Sequence, residues 1–229
     1  MSVPVLRTLS PLEARVLGVL IEKAATVPDT YPLSLNALVA GCNQKTAREP
    51  TMELRDDEVL ATIDALKALS LVFEVGGARV IKYEHNLGRV LAAPGAAVAL
   101  LAVLMLRGPQ TVAELRQNSE RLHRFADLSS VEGFLDEQAI KGRVVKLAKA
   151  PGEREARWAH LLCGEPVLPV AMRGVPGSGG SDTVALSELA AIKAEQARLA
   201  AEVAVLKALV LRLAGELGVA ADETTPASN

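Results

Sequence analysis

Two cysteines and three histidines are all that this 229-residue chain offers to thiol chemistry or to the nitrogen and sulfur ligation of a zinc site. Cys42 and Cys163 lie far apart with no Cys-x-x-Cys pair, which leaves no framework for disulfides or a structural zinc and points to a reducing compartment. His85, His123 and His160 belong to no His-Glu-x-x-His motif, and neither a Gly-x-Ser-x-Gly elbow nor a phosphate-cradling glycine loop is present. His160-x-x-Cys163 is half of a metal site at most, and Cys42 has no histidine near it in sequence. We therefore expect no catalysis, no metal and no cofactor.

A charge of one sign is lacking too. Residues 1–90 hold ten basic against eleven acidic side chains, residues 91–165 ten against nine, and residues 166–229 five against seven. No segment announces nucleic acid by net charge alone. Long apolar runs are likewise short: residues 90–106 carry no charge, but Pro94-Gly95 interrupts them, leaving eleven residues where a membrane span needs about 20. That stretch is expected as a buried helix. The first eight residues lack the basic start and apolar region of a signal peptide, so a cytoplasmic location is expected.

What is present is a pattern built around residues 54–83. Val59, Ile63, Leu66 and Leu69 share a helical stripe, residues 71–75 and 79–83 read as strands, and Gly76-Gly77 fits the turn between them. With two preceding helices this predicts a winged helix-turn-helix. The pattern returns 72 residues later, where Val131, Leu135, Val144, Val145 and Leu147 stand where Val59, Ile63, Val72, Phe73 and Val75 stood. The fold class expected is mainly α with small β-wings: a first winged-helix domain at 9–90 and a second at 91–163.

Local signals agree. Ser10-Pro11 with Glu13 makes a capping box ahead of Leu12, Val16, Val19 and Leu20. Ser34 starts a short helix that buries Leu35, Leu38 and Val39 and ends near Gly41. Residues 42–52, rich in turn formers and hydrogen-bonding side chains, are the first candidate for a functional surface. In the second copy a helix over 96–106 precedes the Gly108-Pro109 turn and a helix capped by Thr111, and Ser129 with Glu132 predicts another capping box. Strands are expected at 143–148 and 154–161 around a wing at 149–153, and Tyr83-Glu84-His85 is echoed by Trp158-Ala159-His160.

Residues 164–183, rich in Gly, Pro and Ser, read as a flexible linker. In the C-terminal segment 184–217, Leu189, Ile192, Gln196, Leu199, Val203, Leu206, Val210, Leu213 and Leu217 keep an unbroken 3-4 spacing. Valine at a and leucine at d in the later heptads favour a parallel two-stranded coiled coil. Glu188 and Glu202 at g would face Lys193 and Lys207 at e, and Gln196 would set register. The expectation is a homodimer; the alternative is a helix folded back onto the winged helices.

Leu12-Glu13-Ala14-Arg15-Val16, residues 31–36, Cys42-Asn43-Gln44-Lys45-Thr46 and Arg48-Glu49-Pro50 resemble the YceH-like family of uncharacterised bacterial proteins. Leu106-Arg107-Gly108, Gln110-Thr111, Glu114-Leu115-Arg116, Phe125, Val131-Glu132, Pro151-Gly152, Arg154, Glu155, Arg157 and His160 extend the resemblance over about residues 9–162. It implies tandem winged helices with a helical tail and carries no biochemical role.

Two functions fit this reading. DNA binding would rest on Lys45, Arg48 and Arg55, on Arg79 and Lys82 of the first wing, and on Lys141, Arg143, Lys146, Lys149, Arg154 and Arg157 of the second module. Most of these would contact phosphates, which position without specifying. Against it, the helix that ordinarily enters the major groove begins Asp56-Asp57-Glu58 in one copy, and Asp127, Glu132, Asp136 and Glu137 crowd it in the other. A protein-binding scaffold, joined in pairs by the coiled coil, accommodates those carboxylates directly and is the alternative; the winged-helix module itself makes DNA or regulatory binding the expectation.

Overall fold

The computed structural model describes residues 6–76, 80–149 and 153–166. The linker at 164–183, apart from its first three residues, and the heptad residues Leu189, Ile192, Gln196, Leu199, Val203, Leu206, Val210 and Leu213 lie outside the described residues, as does Arg79.

Helix α1 (Pro11–Thr26) begins as its capping box requires: Ser10 Oγ accepts from the Glu13 N–H at 3.1 Å, and the Glu13 carboxylate accepts from the Ser10 N–H at 2.7 Å. Every residue from 13 to 21 is buried, so this helix is packed on all sides rather than along one stripe. After a 3-10 turn come the two-residue strand β1 (Leu33–Ser34) and helix α2 (Leu35–Cys42), capped by Ser34. Helix α3 (Asp56–Ala68) buries Val59, Thr62, Ile63 and Leu66. Strands β2 (Val72–Gly76) and β3 (Ile81–His85) then pair antiparallel, and β1 adds to the far side of β3, giving the order β1-β3-β2. Leu33 stands opposite Tyr83, and Val72 opposite His85.

A short helix α4 (Leu87–Val90) leads to α5 (Gly95–Arg107), in which residues 96–106 are all buried. The uncharged stretch is thus a core helix, and no described helix is long and apolar enough to cross a membrane. Gly108 ends α5 at φ 73°, a left-handed position suited to glycine. Helix α6 (Val112–Ser119) carries the Thr111/Glu114 capping box, followed by α7 (Leu128–Ile140) and the pair β4 (Val144–Lys146) and β5 (Trp158–His160). Gln110 and Trp158 exchange two backbone hydrogen bonds, of 3.0 and 2.7 Å, where β1 pairs with β3 in the first half. The protein is therefore mainly helical with small antiparallel sheets, and its helix-helix-helix-strand-strand order occurs twice.

Three details differ from the sequence reading. The cap of α7 is Asp127, whose carboxylate accepts from the Ser130 N–H at 2.7 Å, so Ser129 falls inside the first turn and its pairing with Glu132 does not form the box. A carboxylate answers the positive helix end better than a hydroxyl does. The strands of the first half lie one to two residues later than the spans 71–75 and 79–83, and those of the second half are shorter than the spans 143–148 and 154–161, with three residues each. Finally, the two halves share one core, in which α1 packs against α5. At that contact a methyl on Gly18 would come within 3.0 Å of the Leu106 side chain, which is why the helices meet at glycine.

Candidate functional site

The segment 42–52 is held down from beneath by two buried arginines. Arg48 has no exposed side chain: Nη2 meets Glu22 Oε2 at 2.6 Å, Nη1 meets Glu22 Oε1 at 3.2 Å, and Nε donates to the Gly41 carbonyl at 3.1 Å. Arg15, 1% exposed, donates to the carbonyls of Cys42 and Pro50. Asn43 bridges back to Leu54, accepting from its N–H at 2.7 Å and donating to its carbonyl at 2.8 Å. Burial is the largest single influence and would raise the Glu22 carboxyl, but the hydrogen bonds and charges of Arg48 and Lys23 together hold the group below the usual range. Burial pushes the Cys42 thiol up to about 12, which rules it out as a thiolate nucleophile near neutrality. Arg48 therefore anchors the loop and is not a surface cation. Lys45 is exposed, 2.8 Å from Glu53.

The remaining basic residues sort by their surroundings. Arg143 is 8% exposed and donates to Gln138 Oε1 and the Leu91 carbonyl, so it too is withdrawn from the surface. Arg157 lies 2.9 Å from Glu114 and 3.0 Å from Glu153 and donates to the Pro109 carbonyl, tying the second wing to α6. Its hydrogen bond to Glu153 leads in raising its pKa. Lys82 is half-buried on β3, and Lys146 sits 5.5 Å over the Trp158 ring. Lys149 and Arg154 are exposed on the second wing and form no ion pair among the described residues. Of the cations named from sequence, Arg48 and Arg143 are thus buried, while Lys45, Lys146, Lys149 and Arg154 reach the surface.

The histidine echo is real in three dimensions. Tyr83 and Trp158 are both buried, and His85 and His160 stand opposite Val72 and Val144. Desolvation lowers both imidazoles, His160 to about 4, and each side chain is half-buried. No group of three or more His, Cys, Asp or Glu side chains with metal-site geometry occurs among the described residues.

Sequence reasoning named most of the carboxylates on α3 and α7 but missed the exposed apolar side chains among them. On α3, Asp56, Leu60, Asp64 and Ala68 form an exposed row at four-residue spacing. On α7 the residues 72 positions later, Leu128, Glu132, Asp136 and Ile140, form the same row, and Ile140 is 88% exposed. Neither row holds a cation. Asp64 has Lys67 at 3.3 Å, whereas Asp56, Glu132 and Asp136 have no ion pair among the described residues. Beside α3, strands β2 and β3 and the residue before β3 expose Phe73, Val75, Val80 and Ile81. Laying the two copies over each other at the 72-residue offset would have shown the paired rows.

Residues 9–153 match the family described as "Protein of unknown function, DUF480", and the chain belongs to that family. The resemblance to YceH-like proteins is consistent with this membership. A UPF0502 protein of Leptothrix cholodnii is 64% identical over 218 residues, which make up 94% of this chain and 98% of the relative. A UPF0502 protein of Burkholderia multivorans is 65% identical over 219 residues, covering 95% and 92%, and one of Burkholderia orbicola 60% over 225 residues, covering 97% and 95%. The names of these relatives state no activity.

Proposed function

We propose that the chain is a non-enzymatic pair of winged helix-turn-helix modules that dock a protein partner through α3 and α7. The twice-repeated element order, with a strand or bridge completing each small sheet, supports the winged-helix reading. The observation that carries the docking function is the pair of outward rows, Asp56-Leu60-Asp64-Ala68 and Leu128-Glu132-Asp136-Ile140. In a DNA-binding module the corresponding helix enters the groove between phosphate chains, where unpaired carboxylates repel. Carboxylates interleaved with exposed apolar side chains instead match a partner that offers apolar contact rimmed by lysine and arginine.

The test compares the wild-type chain with an Asp56→Asn, Asp64→Asn, Asp136→Asn variant. The variant is expected to lose a captured bacterial partner and to gain nothing in affinity for DNA, which stays in the non-specific range of roughly 10⁻⁴ to 10⁻⁶ M at physiological salt. The exposed cations Lys149 and Arg154 favour DNA as the second reading. Submicromolar DNA binding, with a salt slope flattened by about two units when both become alanine, would establish that reading and overturn docking.

The heptads from Leu189 to Leu213 support pairing of two copies as a parallel coiled coil. Polar substitution of Leu199 and Leu206 is expected to give monomers in sedimentation with the helical content of residues 9–163 retained. An unchanged dimer would place self-association elsewhere.

A further inference from the structure

The 72-residue offset also pairs Leu66 with Gln138 and Leu71 with Arg143. The backbone confirms the equivalence: the Leu71 N–H donates to the Leu66 carbonyl at 3.0 Å, and the Arg143 N–H to the Gln138 carbonyl at 2.9 Å. In the first module both leucines are fully buried and complete an apolar core. In the second, the same two places hold a buried amide and a buried cation, 1% and 8% exposed, with Arg143 Nη1 donating to Gln138 Oε1 at 2.8 Å.

This pair is incompletely satisfied. Arg143 forms no ion pair among the described residues, and Gln138 Nε2 is buried without a hydrogen-bond partner among them. Glu137, the carboxylate that acts on Arg143 through space, is already held by Lys141. Two of the five guanidinium N–H groups are used, on Gln138 and on the Leu91 carbonyl. A buried charge left in this state is costly, and the first module shows that leucines suit the fold at these positions. Arg143 also lines a cleft of about 490 Å³ whose walls include Leu6, Leu91, Leu161 and Leu162. That is the size of a small-molecule site, with apolar walls and one buried cation. Arg7 and Lys141 stand at its border, each occupied by its own carboxylate, Glu13 and Glu137.

We propose that this cleft binds an organic carboxylate with an apolar body, its carboxylate received by Arg143 and its body laid along the four leucines. A guanidinium accepts a carboxylate through paired N–H groups. The role is independent of the docking faces, whose rows lie on the outward residues of α3 and α7.

Calorimetric titration of the full chain tests it with octanoate as probe, and with octanol and inorganic phosphate as controls that lack the charge or the apolar body. Saturable octanoate binding is expected, at least tenfold tighter than either control. It should vanish in a Gln138→Leu, Arg143→Leu variant, which copies the first module and should melt at a higher temperature than the wild type, because well-packed apolar residues often replace a buried ion with a gain in stability. Should the double variant fail to fold, Arg143→Lys keeps the charge without the fork and should weaken octanoate binding at least tenfold. Absence of saturable octanoate binding, equal binding by the wild type and the folded variant, or phosphate binding as tight as octanoate would each overturn the proposal.

Discussion

Replacing Arg48 with alanine is expected to lower the unfolding free energy by about 3–5 kcal/mol, the range for removing one partner of a buried ion pair. The side chain is wholly buried, and its loss strands the Glu22 carboxylate, which it contacts through both Nη1 and Nη2. It also removes the donor that satisfies the Gly41 carbonyl. Chemical denaturation of the wild-type and Arg48→Ala chains gives the difference directly. A second chain, Arg48→Met with Glu22→Leu, should recover much of the loss, since removing both charges abolishes the stranded carboxylate. A loss below about 1 kcal/mol for Arg48→Ala would be that of an exposed pair and would contradict the burial.

Leu66→Ala and Leu135→Ala should each cost about 2–5 kcal/mol, as truncations that leave a cavity in a packed core. Both side chains are fully buried, one under α3 and one under α7. Because both belong to one continuous core, either change should shift a single unfolding transition rather than split off one half. Losses below about 1 kcal/mol at both positions, or two separated transitions, would refute that shared core.

Elements that obey local rules were legible in the sequence. The Ser10/Glu13 box and the Thr111 cap are decided within a few residues, so capping chemistry places them. The repeat was legible for the same reason. Arg48 and Arg143 were not, because whether a cation reaches solvent depends on what packs above it from distant parts of the chain: Glu22 and Gly41 in one case, Gln138 and Leu91 in the other. Residues 42–52 look like a functional surface in one dimension because anchoring a loop and binding a ligand draw on the same hydrogen-bonding side chains. The apolar members of the outward rows escaped notice for the opposite reason, since Leu60, Leu128 and Ile140 are types that a sequence reader assigns to the interior.

Helix α1 is buried from residue 13 to residue 21, and part of its cover is α5, which begins only at Gly95. During synthesis the first helix is made long before its partner. At about 5–20 residues per second, some four to sixteen seconds of translation separate the two, during which apolar surface on α1 has no final cover. The first module can form its local helices and hairpin in that interval, but its most buried helix must wait for a contact spanning about a third of the chain, the kind of distant pairing that slows folding. The seam at Gly18 and Leu106 is thus a late event in the birth of the molecule, and a nascent chain stalled before α5 is the form most in need of a chaperone.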